Sequence, residues 1–240
     1  MTVNTSPDSA SPASDDRGRN RSAWIALVAV AALAVGFLLG FLARMPLEDT
    51  QPATPAAGSV DVGFAQDMSV HHDQAIEMAA IALTGSDDVR VRNLAYDILT
   101  TQQNQLGQMQ GWLTLWGRPP LPAGDYMQWM AEDTGHGHGS TGADGSGHDA
   151  AGMQRMPGMA SSDDLANLRA ATGTDLDVLF LQLMLRHHEG GLPMMEYGAQ
   201  HASIAAVRNL AQTMVDTQVG ESQLMTSMLA DRGAVPLPLN

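Results

Sequence analysis

The sequence predicts an all-α protein, a four-helix bundle made from two copies of one helical hairpin and preceded by a single transmembrane helix. Three observations predict it. Of the 240 residues 44% are apolar, enough for a packed core, yet aromatics are only 5% and Met reaches 16. Ala, Leu and Met are good helix formers, and β-branched runs are scarce. The segment "VRNLA" occurs at Val91–Ala95 and again at Val207–Ala211, an offset of 116. The same offset carries Phe64 to Phe180, Met68 to Met184, His71 and His72 to His187 and His188, and Met78 to Met194. It also carries Gln102 to Gln218, Met109 to Met225, Gly117 to Gly233 and Pro120 to Pro236, with no gap. One register held over so many positions reads as an internal duplication. Finally, residues 23–43, "AWIALVAVAALAVGFLLGFLA", contain no charge.

Residues 1–22 are rich in Ser, Asp, Pro and Arg and read as a disordered cytoplasmic tail. Residues 23–43 extend over roughly 32 Å as a helix, the thickness of a bilayer core. Arg17, Arg19 and Arg21 precede them and Arg44 follows. This asymmetry predicts a single-pass protein of the cell membrane, with its N-terminus in the cytoplasm and the rest outside. A cleaved signal peptide is the competing reading, against which stand the length of the apolar run and the lack of a clean A-x-A site. Residues 44–59 ("PLEDTQPATPAAGS" within them) form a Pro/Ala-rich stalk. The domain then occupies 60–240.

Each half reads as two helices. The first pair spans about 61–83 and 87–116, with Ser86 as N-cap of the second helix and Gly117 plus prolines as its stop. The second pair spans about 175–200 and 204–232, with Ser203 as cap and Gly233 as stop. A short helix over about 163–171, capped by Ser162, precedes it. Two hairpins of long helices make a four-helix bundle. Between the halves, 124–161 is a Gly-, His- and Met-bearing loop, which Gly, Ser and Asp make mobile over 135–160.

The net charge of −14 repels phosphate backbones, so nucleic acid is excluded as a partner, while the same field draws cations. There is no Cys, which removes disulfide, zinc–thiolate, iron–sulfur and thiol chemistry.

What remains is His and Met. At about 100° per residue, Met68, His71, His72, Ala75, Ala79 and Ala82 share one side of their helix, with Met78 at its edge. Asp73 and Glu77 fall opposite. Met184, His187, His188, Gly191 and Met195 repeat the stripe; Met194 matches Met78, and Glu189 matches Asp73. The spacings M-x2-H-H and H-x6-M thus put thioether and imidazole on one inward face. The second helix of each hairpin adds Gln102, Gln105 and Met109, matched by Gln218, Glu221 and Met225. If the hairpins pack about a pseudo-two-fold axis, four histidines and several methionines converge inside. Thioether plus imidazole without thiolate suits Cu(I) or Cu(II) better than Mg, Ca or Zn. No Glu-x-x-His occurs, which disfavours a di-iron oxidase. The competing reading is a polar core network, and Met109 or Met225 taken singly is ordinary packing. The loop carries His136, His138, His148 and the triplet Met153, Met156, Met159, either a flexible tract or an arm that collects copper or silver. Pro193 predicts a kink one turn after the second histidine pair, because it frees the carbonyl of Glu189.

"FAQDMSVHHDQAIEMA" and "FLQLMLRHHEGGLPMMEYG", each followed by "VRNLA", resemble the domain-of-unknown-function family 305. The resemblance covers about 60–240 and implies a ferritin-like fold and, for some members, extracytoplasmic copper binding and copper tolerance. It implies His71, His72, Met78, His187, His188 and Met194 as the motif positions. "GGLPMM" departs from the family's unbroken run of small residues. Three functions compete: a membrane-anchored copper binder that sequesters or delivers the ion, a metal-dependent redox enzyme such as a Cu(I) oxidase, and a helical module that docks a membrane partner. No acid–base or nucleophile set marks an enzyme.

Overall fold

The structure is a computed structural model describing residues 16–44, 54–133 and 154–240. It divides into two compact units, Met1–Ala53 and Thr54–Asn240. Every element of regular structure among the described residues is helical.

The first unit holds α1, Asp16–Arg44. Helix therefore includes residues 16–22, which the sequence reading assigned to a disordered tail; residues 1–15 of that tail lie outside the described residues. Within α1, Arg21–Phe41 has a mean hydropathy of 2.5, long and apolar enough to cross a membrane or to serve as a signal sequence.

The second unit begins before the expected boundary at Val60. Ser59 ends the preceding turn and caps α2 (Val60–Gly85), its hydroxyl accepting from the Val62 N–H. The Arg118 guanidinium holds the Pro55 carbonyl at 3.0 Å. Residues 54–59 are thus fastened to the unit, while 45–53 of the expected stalk lie outside the described residues. Helix α3 spans Val89–Leu115. Its cap is Asp88 rather than Ser86, because the Asp88 carboxylate accepts from the N–H groups of Arg90 and Val91. A 3-10 helix covers Gln128–Asp133, and α4 spans Ser162–Ala170. Ser161, not Ser162, caps α4 in a reciprocal capping box with Asp164. Helix α5 runs Gly173–His201 and stays helical through Pro193, and α6 covers Ala205–Ala230. The two predicted stops are left-handed: Gly117 has φ 61° and Gly233 φ 65°. Each lets the next amide reach back, from Arg118 to the Leu113 carbonyl and from Ala234 to the Leu229 carbonyl.

Helix α2 packs on α3, α5 packs on α6, and the two hairpins meet through α2 and α5. The α6 cap corrects the sequence reading again. Ile204 occupies the cap position, and neither it nor Ser203 supplies a side-chain bond. The buried Asp61 at the start of α2 serves instead, accepting from the Ser203 N–H at 3.1 Å and the Ile204 N–H at 2.8 Å. Asp177, 116 positions later, is equally buried and accepts from the Ser86 hydroxyl at 2.5 Å, in the turn of the first hairpin. Each hairpin's leading helix therefore ties down the other hairpin's turn.

Removing the Asp61 carboxylate leaves two amides at a helix start without it. Asp61→Ala is expected to lower the unfolding free energy by about 2 kcal/mol in urea titration; an unchanged midpoint would show that this tie contributes nothing.

Candidate metal centre

His71 and His72 lie on α2, and His187 and His188 on α5. All four are buried to within 1%. The His71 and His187 rings, one from each hairpin, stack with centroids 3.7 Å apart and planes tilted by 36°. The His187 and His188 centroids are 6.4 Å apart. Close approach of α2 and α5 depends on Gly191, where a Cβ would stand 2.7 Å from His71 Cε1.

Two of the rings have orienting partners. His72 Nε2 lies 2.8 Å from Gln105 Oε1, and His188 Nε2 lies 2.7 Å from Glu221 Oε2. An amide oxygen and a carboxylate oxygen only accept, so in both rings Nε2 carries a hydrogen, and in neutral His72 the lone pair is left at Nδ1. Neither Nδ1 has a hydrogen-bond partner among the described residues, nor does either nitrogen of His71 or His187. The buried Gln102 and Gln218 amides are likewise unpaired at both atoms.

Burial holds three of the rings, His71, His72 and His187, neutral. It lowers the His71 pKa to about 3, helped by His72 and His188 and opposed by the Pro157 backbone. Burial also lowers His72 to about 4, against the Gln105 hydrogen bond. His187 falls well below its ordinary value through burial, then through the other three imidazoles. Neutral imidazoles with bare lone pairs are ligands in waiting.

The methionines, read from the sequence as two matching stripes with Met78 at the edge of one and with Met109 and Met225 on the second helices, separate into two levels. Met68, Met109, Met194 and Met195 lie in one apolar cluster, whereas Met78, Met184 and Met225 lie in another; all seven are buried. Because α5 reverses the order of α2, the start of one matches the end of the other. On all four helices the His and Gln positions fall between the two clusters, so the imidazoles form a polar layer with thioethers on either side.

Other predicted positions scatter. Glu189 is exposed beside His188. Met156 is buried in the Met68 cluster and Met159 packs against it, so neither belongs to a free arm. Met153, His136, His138 and His148 lie outside the described residues. Among the described residues no three His, Asp or Glu side chains form a ready chelate.

Sequence reasoning missed the reason for the paired glycines. A Cβ on Gly190 would stand 2.5 Å from the backbone of Pro157 and Gly158, so Gly190 seats the end of the loop while Gly191 seats His71. The Gln74 amide fixes that loop end, donating to the Ala160 carbonyl and accepting from its N–H. The buried Asp67 carboxylate was missed too. It accepts from the Met127 N–H and from Trp129 Nε1, and burial raises its pKa. A partner 62 residues away leaves no local pattern.

The model of the family described as "Domain of unknown function (DUF305)" matches residues 61–229. The chain belongs to the DUF305 family. A DUF305 protein of Streptomyces coelicolor is similar at 39% identity and TM-score 0.66, over 76% of this chain and 99% of that one. A DUF305 fragment of Deinococcus radiodurans is similar at 31% identity and TM-score 0.55, over 72% and 96%. CopM in its Cu(I)-bound form shares the fold at 20% identity and TM-score 0.52, over 71% and 96%. Its Cu(II)-bound form gives 22% and 0.51, over 72% and 97%. No curated protein matches the chain.

The depressed histidines make this DUF305 chain acid-sensitive without metal. Free imidazole titrates near 6.5, so above that pH both folded and unfolded states are neutral. As pH falls toward 4 the unfolded chain takes up protons that the folded layer refuses, and stability drops. The slope is expected to reach about 1.4 kcal/mol per pH unit for each such histidine. Urea midpoints of the metal-free protein between pH 7 and 4 measure it, and a flat profile would contradict neutral burial.

Proposed function

We propose that this DUF305 protein is a membrane-anchored, extracytoplasmic metal-binding protein that holds copper through His and Met side chains for sequestration or delivery. The observation that carries the reading is the unpaired imidazole layer. A buried polar atom without a partner costs roughly 1–3 kcal/mol, and the layer collects His71, His187, one nitrogen each of His72 and His188, and two whole amides. A ligand that accepts lone pairs relieves that cost, and it also explains why no cationic partner was built in.

The donor set fits copper. Imidazole nitrogens held neutral by burial, buried thioethers on both sides and no thiolate favour Cu(I) or Cu(II) over hard cations. His71, His72, His187 and His188 would hold the ion, with Met68, Met78, Met184 and Met194 as the thioethers drawn on. CopM shares the fold and is solved with Cu(I) and with Cu(II) bound, in keeping with this reading. The pairings α2 on α3, α5 on α6 and α2 on α5 support a ferritin-like four-helix arrangement. The charge-free run of α1, with Arg17, Arg19 and Arg21 on its N-terminal side, supports an anchor with the second unit outside the cell.

The test is copper content and competition titration of the full chain in detergent. About one or two equivalents per chain are expected. Replacing the four histidines with alanine should abolish uptake, and deleting residues 134–153 should leave it in place. The reverse pattern would move the site to the loop, and no uptake by the wild type would end the copper reading.

A further inference from the structure

The two halves are not equivalent where they meet solvent. Beside His188 a groove of about 400 Å³ lies between α5 and α6, lined among others by His188, Glu189, Gln218 and Ser222. Glu221, which accepts from His188 Nε2, keeps 14% of its side chain exposed, and Ser222 next to it is half-buried. Subtracting 116 gives Gln105 and Leu106 in the first half. Gln105 is buried, and Leu106 is only 4% exposed. An amide and a leucine thus close the first half at the position where a carboxylate and a hydroxyl open the second.

We infer that the groove between α5 and α6 is the opening through which a soft cation reaches the imidazole layer, with Glu221, the hydrogen-bond partner of His188, as the positioning carboxylate. The inference rests on the copper reading for the identity of the traveller. Moving a cation from water into an apolar interior is expensive unless opposite charge accompanies it. Glu189 is exposed and lines the groove, and Glu221, outside the lining itself, is bonded to His188, which does line it. The unpaired amide of Gln218, also lining the groove, supplies an oxygen beyond them. Glu221 occupies His188 Nε2, so Nδ1 is the nitrogen of that ring left to meet an arriving ion. On the first half, Asp73 is exposed at the position matching Glu189, but the next step inward is neutral and filled.

The full chain in detergent tests this with two readouts. Cu(I), supplied as a complex with a weak chelator, should load at least tenfold more slowly in Ser222→Leu, with the equivalents bound at equilibrium unchanged. Glu221→Gln should also slow loading and remove most of its dependence on ionic strength. In the metal-free protein, carbethoxylation by diethyl pyrocarbonate followed by mass spectrometry should modify His188 before His72, and Ser222→Leu should protect His188. Wild-type loading rates in both variants, with His188 and His72 labelled alike, would overturn the groove while leaving copper binding intact. Ser222-dependent labelling of His188 in a protein that takes up no copper would support the opening and overturn the copper reading instead.

Discussion

Four imidazoles buried where two helices cross are the constraint from which the rest of the second unit follows. Burial disfavours the charged form at His71, His72 and His187, and a neutral ring needs a defined hydrogen. Gln105 and Glu221 supply that definition for His72 and His188. His71 and His187 have no such partner and lie against each other instead. Their stacking brings the helices close, and closeness admits nothing larger than glycine at 191. The layer also cuts the apolar core in two, which is why the methionines separate into an upper and a lower set.

Such a layer weakens the very contact that joins the hairpins, so the joint is reinforced elsewhere. Asp61 and Asp177 each leave their own hairpin to bind the other's turn, one through two amides and the other through a hydroxyl. Buried carboxylates satisfied by several donors are worth far more than surface pairs. The Arg90–Asp231 pair, half-exposed on both sides, adds little by comparison. The two ties stand at the turns rather than at the layer. The hairpins are thereby clamped at their ends rather than at the polar middle.

Much of this was legible in the chain. Helical periodicity and the 116-residue offset gave the four long helices, the facing histidines and the Gln105/Glu221 positions. Gly117 and Gly233 were read as stops and adopt the left-handed conformation that explains why. The caps were misread because capping was sought locally. For α3 the cap is Asp88, while the Ser86 hydroxyl donates to Asp177 and accepts from the Asp88 N–H just before the helix. For α6 the cap came from Asp61, 142 residues before Ser203. Long-range donors leave no spacing to detect, and Asp67 with Trp129 escaped for the same reason. The levels of the methionines were not legible: a helical wheel gives direction around the axis, and only the antiparallel crossing tells which methionines share a level.

That crossing also bears on how an ion would be held. Stacked rings 3.7 Å apart do not point their lone pairs at one centre, and no three-ligand His, Asp or Glu set stands ready. Binding would require the rings to turn. Bulky aromatic walls would resist this, but a glycine stands directly against His71, and the adjoining apolar cluster carries thioethers such as Met68 and Met194. Thioethers have three rotatable bonds and a polarisable sulfur, so they refill space as a ring leaves it and offer a soft donor as they do. The Asp61 and Asp177 clamps would oppose backbone motion. The scarcity of aromatic residues, the abundance of methionine and the glycine against His71 thus answer one requirement, a rigid frame around a layer of side chains that can rearrange.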